Sequence, residues 1–238
     1  MDVISIKVDL VIELIDGFTG ERKLRGTVFA RTNENVFAMK KDGCLVFFNR
    51  PPGKYKITVG GSCYQARELE AEFNGSAKTV TVVLMPSRSY RFPCAATKLY
   101  GKAECPAVIC FPYTAEQARI LGEFKRGETK ITAFFSDNDP IRAERGYSLA
   151  KAEKTAIYAL KHISGAEYEL DRPLEFDIDF DSTIGAAYEI TPLDQGEYFL
   201  AVSGSFKTAE IIVNDRHQTI ELTGENTEYD IIKKTYHL

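Results

Sequence analysis

The chain opens on a strict alternation. Ile4, Ile6, Val8, Leu10, Ile12 and Leu14 hold the even positions, and Ser5, Lys7, Asp9 and Glu13 stand among the odd ones. A two-residue period sends these sets to opposite faces of a β-strand, one toward a core and one toward water. Asp16-Gly17 and Thr19-Gly20 then mark a turn. Comparable strand patterns follow at residues 27–31, 36–39, 45–48, 55–59, 68–73 and 80–84. Turn signals separate them at Asp42-Gly43, Pro51-Pro52-Gly53, Gly60-Gly61 and Asn74-Gly75. Seven short strands punctuated in this way predict an antiparallel β-sandwich over residues 1–86, with no helix.

Comparing the chain with itself extends the argument. The ten residues from Gly53 to Ser62 share the pattern G-x-Y-x-(I/L)-x-V-x-G-S with those from Gly196 to Ser205. An apolar strand and a proline-bearing turn precede each copy, with Pro51-Pro52 in one and Pro192 in the other. Two further strand patterns come after each copy, ending at residues 80–84 and 219–222. The expectation is an all-β protein of two tandem sandwiches, residues 1–86 and 87–238, joined near Pro86-Ser87-Arg88. The second half is longer and is expected to carry an insertion at about 112–185. Within it, Thr114 reads as the cap of a short helix running to Phe124, with Ala118 and Leu121 on its buried stripe. Residues 143–163 fit either a helix (Leu149, Ala152, Ala156, Leu160) or a strand (Ala156, Tyr158, Leu160), and periodicity does not decide.

Charge and apolar runs exclude some functions. A net charge of −4 and a pI near 5.6 argue against a nucleic-acid-binding surface. The charge divides unevenly: residues 1–86 carry 12 basic and 10 acidic side chains, and residues 87–238 carry 18 and 24. No apolar run reaches the ~20 residues that span a bilayer, and Lys7, Asp9 and Glu13 break the opening as a signal sequence. A cytoplasmic chain, serving as a component of a larger assembly, is the resulting expectation. Five cysteines, Cys44, Cys63, Cys94, Cys105 and Cys110, are expected as reduced thiols. Their spacing does not form a zinc motif.

The run Lys41-Asp42-Gly43, Val46-Phe47-Phe48-Asn49, Pro51-Pro52-Gly53-Lys54-Tyr55 resembles the prealbumin-like sandwiches, as does the turn Asp16-Gly17-Phe18-Thr19-Gly20. That group includes carboxypeptidase regulatory-like domains and the B-type repeats of bacterial collagen adhesins. The resemblance covers most of residues 4–86 and, more faintly, 97–223. It implies the fold and a non-catalytic role as spacer, adhesion or accessory unit. It also implies where an adhesin-type isopeptide would lie, between an early-strand Lys and a last-strand Asn or Asp. Lys7 finds no such partner in residues 80–85, and in the second half the pair would be Lys98 or Lys102 with Asn226.

Candidate chemistry is sparse. In Glu175-Phe176-Asp177-Ile178-Asp179-Phe180-Asp181, strand alternation would place Glu175, Asp177, Asp179 and Asp181 on one face. Four hard oxygen ligands there would suit Ca²⁺, the one cofactor the sequence offers. A solvated strand face, resistant to edge pairing, is the plainer reading. No G-x-S-x-G, active-site cysteine signature or phosphate-binding glycine loop is present, so an enzyme is not expected. Tyr90, Tyr100, Tyr113 and Tyr147 lie in turn-rich segments, and of these Tyr113 and Tyr147 are the candidate contact residues. The residues therefore point to a non-catalytic module that binds another protein, with a carbohydrate- or calcium-binding accessory module as the alternative.

Overall fold

The computed structural model describes residues 6–136, 146–191 and 196–232. Ile4, Pro192, His237 and residues 143–145 of the ambiguous segment lie outside them. All regular structure in the described residues is β. The chain divides into two compact units, residues 1–94 with 200–203, and residues 95–199 with 204–238.

In the first unit the alternation becomes seven strands: β1 (Val8–Asp16), β2 (Val28–Thr32), β3 (Met39–Lys41), β4 (Cys44–Phe48), β5 (Gly53–Gly61), β6 (Tyr64–Phe73) and β7 (Lys78–Leu84). They form two sheets, ordered β3-β4-β1-β7 and β2-β5-β6. Leu10, Ile12 and Leu14 bury as the period requires, together with Phe47, Ile57, Val59, Phe73 and Leu84. Asp9 does not follow the period: it is 2% exposed. The register of β1 against β4 slips between Val8 and Leu10, so Asp9 occupies a β-bulge. The bulge turns its carboxylate inward, where Oδ2 accepts the Arg50 N–H at 2.7 Å. Beside it Lys7 N–H donates to Asn49 Oδ1, and Asn49 N–H returns a bond to Lys7 O.

Asp16 ends β1 and is 0% exposed. Its Oδ1 accepts the backbone N–H groups of Phe18 and Thr19 at 2.8 and 3.1 Å. Its Oδ2 accepts the phenol O–H groups of Tyr64 (2.8 Å) and Tyr90 (2.6 Å). Phe18 packs edge-on to Phe92, with ring centroids 4.9 Å apart. These contacts carry the first unit to residue 94 instead of the 86 expected from the sequence. Burial first, and then the neighbouring Asp16 carboxylate, hold both phenols well above their ordinary pKa.

The second unit contains β8 (Ala96–Lys102), β9 (Ala107–Pro112), β10 (Ala118–Ile120), β11 (Lys130–Phe135), β12 (Gly146–Lys151) and β13 (Lys154–Ser164). The chain continues with β14 (Glu167–Leu170), β15 (Thr183–Ile190), β16 (Glu197–Ser203, whose residues 200–203 group with the first unit), β17 (Thr208–Val213), β18 (Arg216–Glu221) and β19 (Asn226–Glu228). Nine of these form one sheet, β10-β11-β14-β13-β12-β15-β9-β17-β18, and a smaller sheet runs β16-β8-β19. The hairpin β17–β18 turns on Asn214 and Asp215 at φ 47° and 60°, the left-handed pair that a type I′ turn needs.

Residues 112–185 are not an appendage. They supply β10 to β14, and Tyr147, Leu149, Tyr158, Tyr168 and Ile184 share one buried cluster. The expected helix from Thr114 is a single turn. The turn is closed by Thr114 N–H donating to Gln117 Oε1 and Ala118 N–H to Thr114 O, each at 2.9 Å. Beyond it Ala118 and Ile120 bury on either side of exposed Arg119 and pair with β11, so the two-residue period prevails. In the ambiguous segment the strand reading also prevails: Ala152 sits exposed at a turn, φ 53°, between β12 and β13.

The sequence repeat is not a repeat of position. Its first copy becomes β5, at the centre of β2-β5-β6, and its second becomes β16, at the end of β16-β8-β19. What the units share is a parallel pairing of first strand with last, β1 with β7 and β8 with β19.

Asp16 can be tested in two ways. Tyr90→Phe removes one of its donors at nearly constant volume, and urea denaturation is expected to show a loss of about 1–3 kcal/mol. Because Tyr64 and Tyr90 bind their protons more tightly when folded, their stabilisation is complete below about pH 10, the unfolded phenol value. It falls as pH rises above that, and alkaline melts should show the loss reduced in Tyr90→Phe.

Candidate functional site

The acidic segment 175–181 is irregular, held by one bridge from Ile178 to Phe124. Phe176 and Ile178 are buried while Phe180 is 64% exposed, so the strand expected there does not form. Nor do its carboxylates converge. Glu175 accepts from Arg172, whose guanidinium lies 4.7 Å from the Tyr158 ring centre, and Glu175 N–H donates to the Tyr158 oxygen. Asp177 accepts the Arg126 N–H at 2.9 Å and Lys125 Nζ at 3.1 Å, which hold its carboxyl below the usual range. Asp179 pairs with Lys151 and accepts from Ser182 Oγ and the Asp181 N–H; Lys151 chiefly lowers its pKa. Asp181 is exposed. Among the described residues no three His, Cys, Asp or Glu side chains gather to hold a metal ion. Each of the first three acids has instead drawn its own cation, a pattern that alternation along one segment does not reveal.

The tyrosines divide. Tyr147 is 0% exposed and belongs to the core of the nine-stranded sheet, so it offers no contact surface. Its ring packs edge-on to Phe135, 5.6 Å away. Tyr113 is half-buried, with its ring 6.4 Å from Phe135 and 6.2 Å from Phe206. Tyr90 is spent on Asp16. Turn-rich sequence around an aromatic residue thus marked strand ends that bury their rings.

One cysteine, Cys110, is held as the thiol. Cys110 is buried, and burial, aided by the Glu210 charge against a Ser148 hydrogen bond, pushes its thiol up to about 12. The thiolate needed for attack is scarce at neutral pH. His217 Nδ1 lies 2.7 Å from Glu210 Oε1 across the β17–β18 hairpin. All five cysteines are free, with Cys105 and Cys110 buried and Cys94 exposed. Asn226 stands opposite Lys98 in the parallel β8–β19 pair and is exposed.

Sequence reasoning missed the most distinctive surface. Where the chain enters β3 it exposes Phe37 by 58% and Met39 by 62%. Phe37 lies 6.4 Å from Phe29, ring centre to ring centre. Arg31, Lys40 and Lys41 are exposed beside them. Residues 36–39 read as an ordinary strand; the signal available was that Phe37 and Met39 share one parity with exposed Lys41.

Fold and surface together define an all-β, sandwich-like protein. No protein-family model matches the chain, and no curated protein matches it. Among solved structures it is similar to the Bacillus anthracis TIE protein, at 14% identity and a TM-score of 0.26, over 94% of this chain and 51% of that one. It is also similar to a streptococcal ancillary pilin, at 9% identity and a TM-score of 0.26, over 96% of this chain and 63% of that one. The chain spans about half the length of the first and under two thirds of the second. The likeness is a loose one of β-sandwich-like architecture. No helix of the described residues is long and apolar enough to cross a membrane.

The paired carboxylates generate a prediction. Calcium must displace Lys125, Lys151 and Arg172 before it can gather Glu175, Asp177 and Asp179. The melting temperature is therefore expected to be the same in calcium as in chelator, whereas a rise of several degrees would establish a site.

Proposed function

We propose that the chain is a non-catalytic interaction or assembly module that binds another protein through its strand edges and loops. The observation that carries this reading is the grouped display of large apolar side chains, Phe37 and Met39, on one edge beside exposed cations. Single exposed apolar residues are ordinary. Two side by side along one open edge, each forgoing about 2 kcal/mol of burial, suit a contact surface. Phe180 offers a second, smaller contact on an acidic loop of the other unit. The high pKa of the buried Cys110 thiol fits a structural role for that residue. The calcium-binding alternative gains no comparable support, because three of its four acids are already paired with cations.

The test is a native pull-down of the tagged chain from its source cells, read by mass spectrometry. Deleting residues 112–185 would remove β10 to β14, so point variants are the proper controls. A stoichiometric partner retained by the wild type and lost in Phe37→Glu or Phe180→Glu is expected. Capture that is empty, or indifferent to both substitutions, would overturn the reading.

A further inference from the structure

Residues 36–41 cross from one sheet of the first unit to the other. Thr32 N–H donates to Val36 O and Ala38 N–H to Ala30 O, which makes Arg31 and Phe37 a bridge pair without bonds between themselves. In that pattern the N–H and C=O of Phe37 point away from β2. Beyond Ala38 the chain becomes β3, the outer strand of β3-β4-β1-β7. The segment is therefore an open edge, bearing Phe37, Met39, Lys40 and Lys41, with Arg31 alongside. None of these three cations has an ion pair among the described residues. Edge lysines alone are a common guard against stray pairing. Large apolar side chains held out between them work against that purpose.

The same unit has a second open edge of opposite character. β6 is the outer strand of β2-β5-β6. Its start is covered, since Gln65 N–H donates to Met85 O and Ser87 N–H to Cys63 O. From Glu68 to Phe73 no strand pairs with that side among the described residues, with Glu68, Glu70 and Glu72 exposed at alternate positions and Leu69 and Ala71 half-buried between them.

We infer that these two edges bind each other between copies of the chain: residues 36–41 of one copy add as a strand to β6 of the next. The inference rests on the interaction-module reading and names its partner as a second copy. Main-chain bonds would satisfy both open edges. Phe37 and Met39 would cover the half-buried Leu69 and Ala71 on one face of β6, and Lys40, on the other face of the added strand, would meet the glutamates. Opposite charges paired across strands are favourable and like charges unfavourable. Pairing β6 with β6 would set Glu against Glu, and β3 with β3 would set Lys against Lys. The charge pattern thus selects the unlike edges, a heterologous contact in which each copy keeps one edge free. One added strand is a small interface, so the association is weak, concentration-dependent and sensitive to salt.

Analytical ultracentrifugation of the full chain tests this. Self-association that rises with concentration and weakens in high salt is the expected result. Phe37→Glu/Met39→Glu should abolish it from one edge, and Glu68→Lys/Glu70→Lys from the other. An equimolar mixture of the two variants should recover a complex that stops at the heterodimer. If the charge reversal impairs folding, as its melting curve would reveal, Glu68→Gln/Glu70→Gln replaces it and should weaken association several-fold. A wild type that stays monomeric at several hundred micromolar in low salt overturns the inference. So does a single-edge variant that associates like the wild type. A monomeric wild type that still captures a cellular partner defeats self-pairing alone and leaves the interaction-module reading standing.

Discussion

The first unit is organised around one carboxylate taken wholly out of water. Burying such a group without partners costs several kcal/mol, enough to consume much of a domain's stability. Asp16 has four donors, two from the turn beyond it and two from phenols 48 and 74 residues away. The turn donors fix the end of β1, Tyr64 fixes the start of β6, and Tyr90 folds its own segment back onto the unit. Arg25 joins from the outside: its N–H donates to the Tyr64 oxygen, and its guanidinium lies 5.7 Å from the Tyr90 ring centre. Remove any one partner and the others are left holding a buried charge with an unmet bond.

What the sequence disclosed depended on whether the controlling contact was local. Strand periodicity is local, and most strands of the first unit are legible from it; the strand expected at 36–39 is the exception, because the chain crosses between sheets there and β3 starts only at Met39. Asp9 departs because a bulge is set by the partner strand's register, which no single strand records. Asp16 reads as a turn marker because its tyrosines are remote in sequence. Thr114 and Gln117 do close one turn, but pairing with β11 makes a strand of residues 118–120. The G-x-Y motif encodes a strand with a buried tyrosine, Tyr55 in one copy and Tyr198 in the other, without encoding its neighbours.

The candidate site was the least legible part. Four acids at alternate positions look alike on paper, yet Arg172 close by in sequence, Lys125 from a loop and Lys151 from β12 each engage a different one. The surface that distinguishes the molecule depends on what fails to pack. Phe37 and Met39 look like core residues to any hydrophobic count. Their shared parity with Lys41 is the one local hint, and the crossing of the chain between two sheets turns them outward.

The parallel union of first and last strands has a mechanical consequence. Where β1 and β7 run side by side, from Leu10 against Lys78 to Asp16 against Leu84, a tug on the N-terminal end of β1 and the C-terminal end of β7 acts at opposite ends of the ladder. The load then falls on its hydrogen bonds together, in shear, and they cannot unzip one at a time. Such a clamp resists stretching far better than an antiparallel hairpin pulled open from its free ends. The second unit carries a shorter version, Asn226 to Glu228 against Lys98 to Tyr100, and is the one that should yield first under tension.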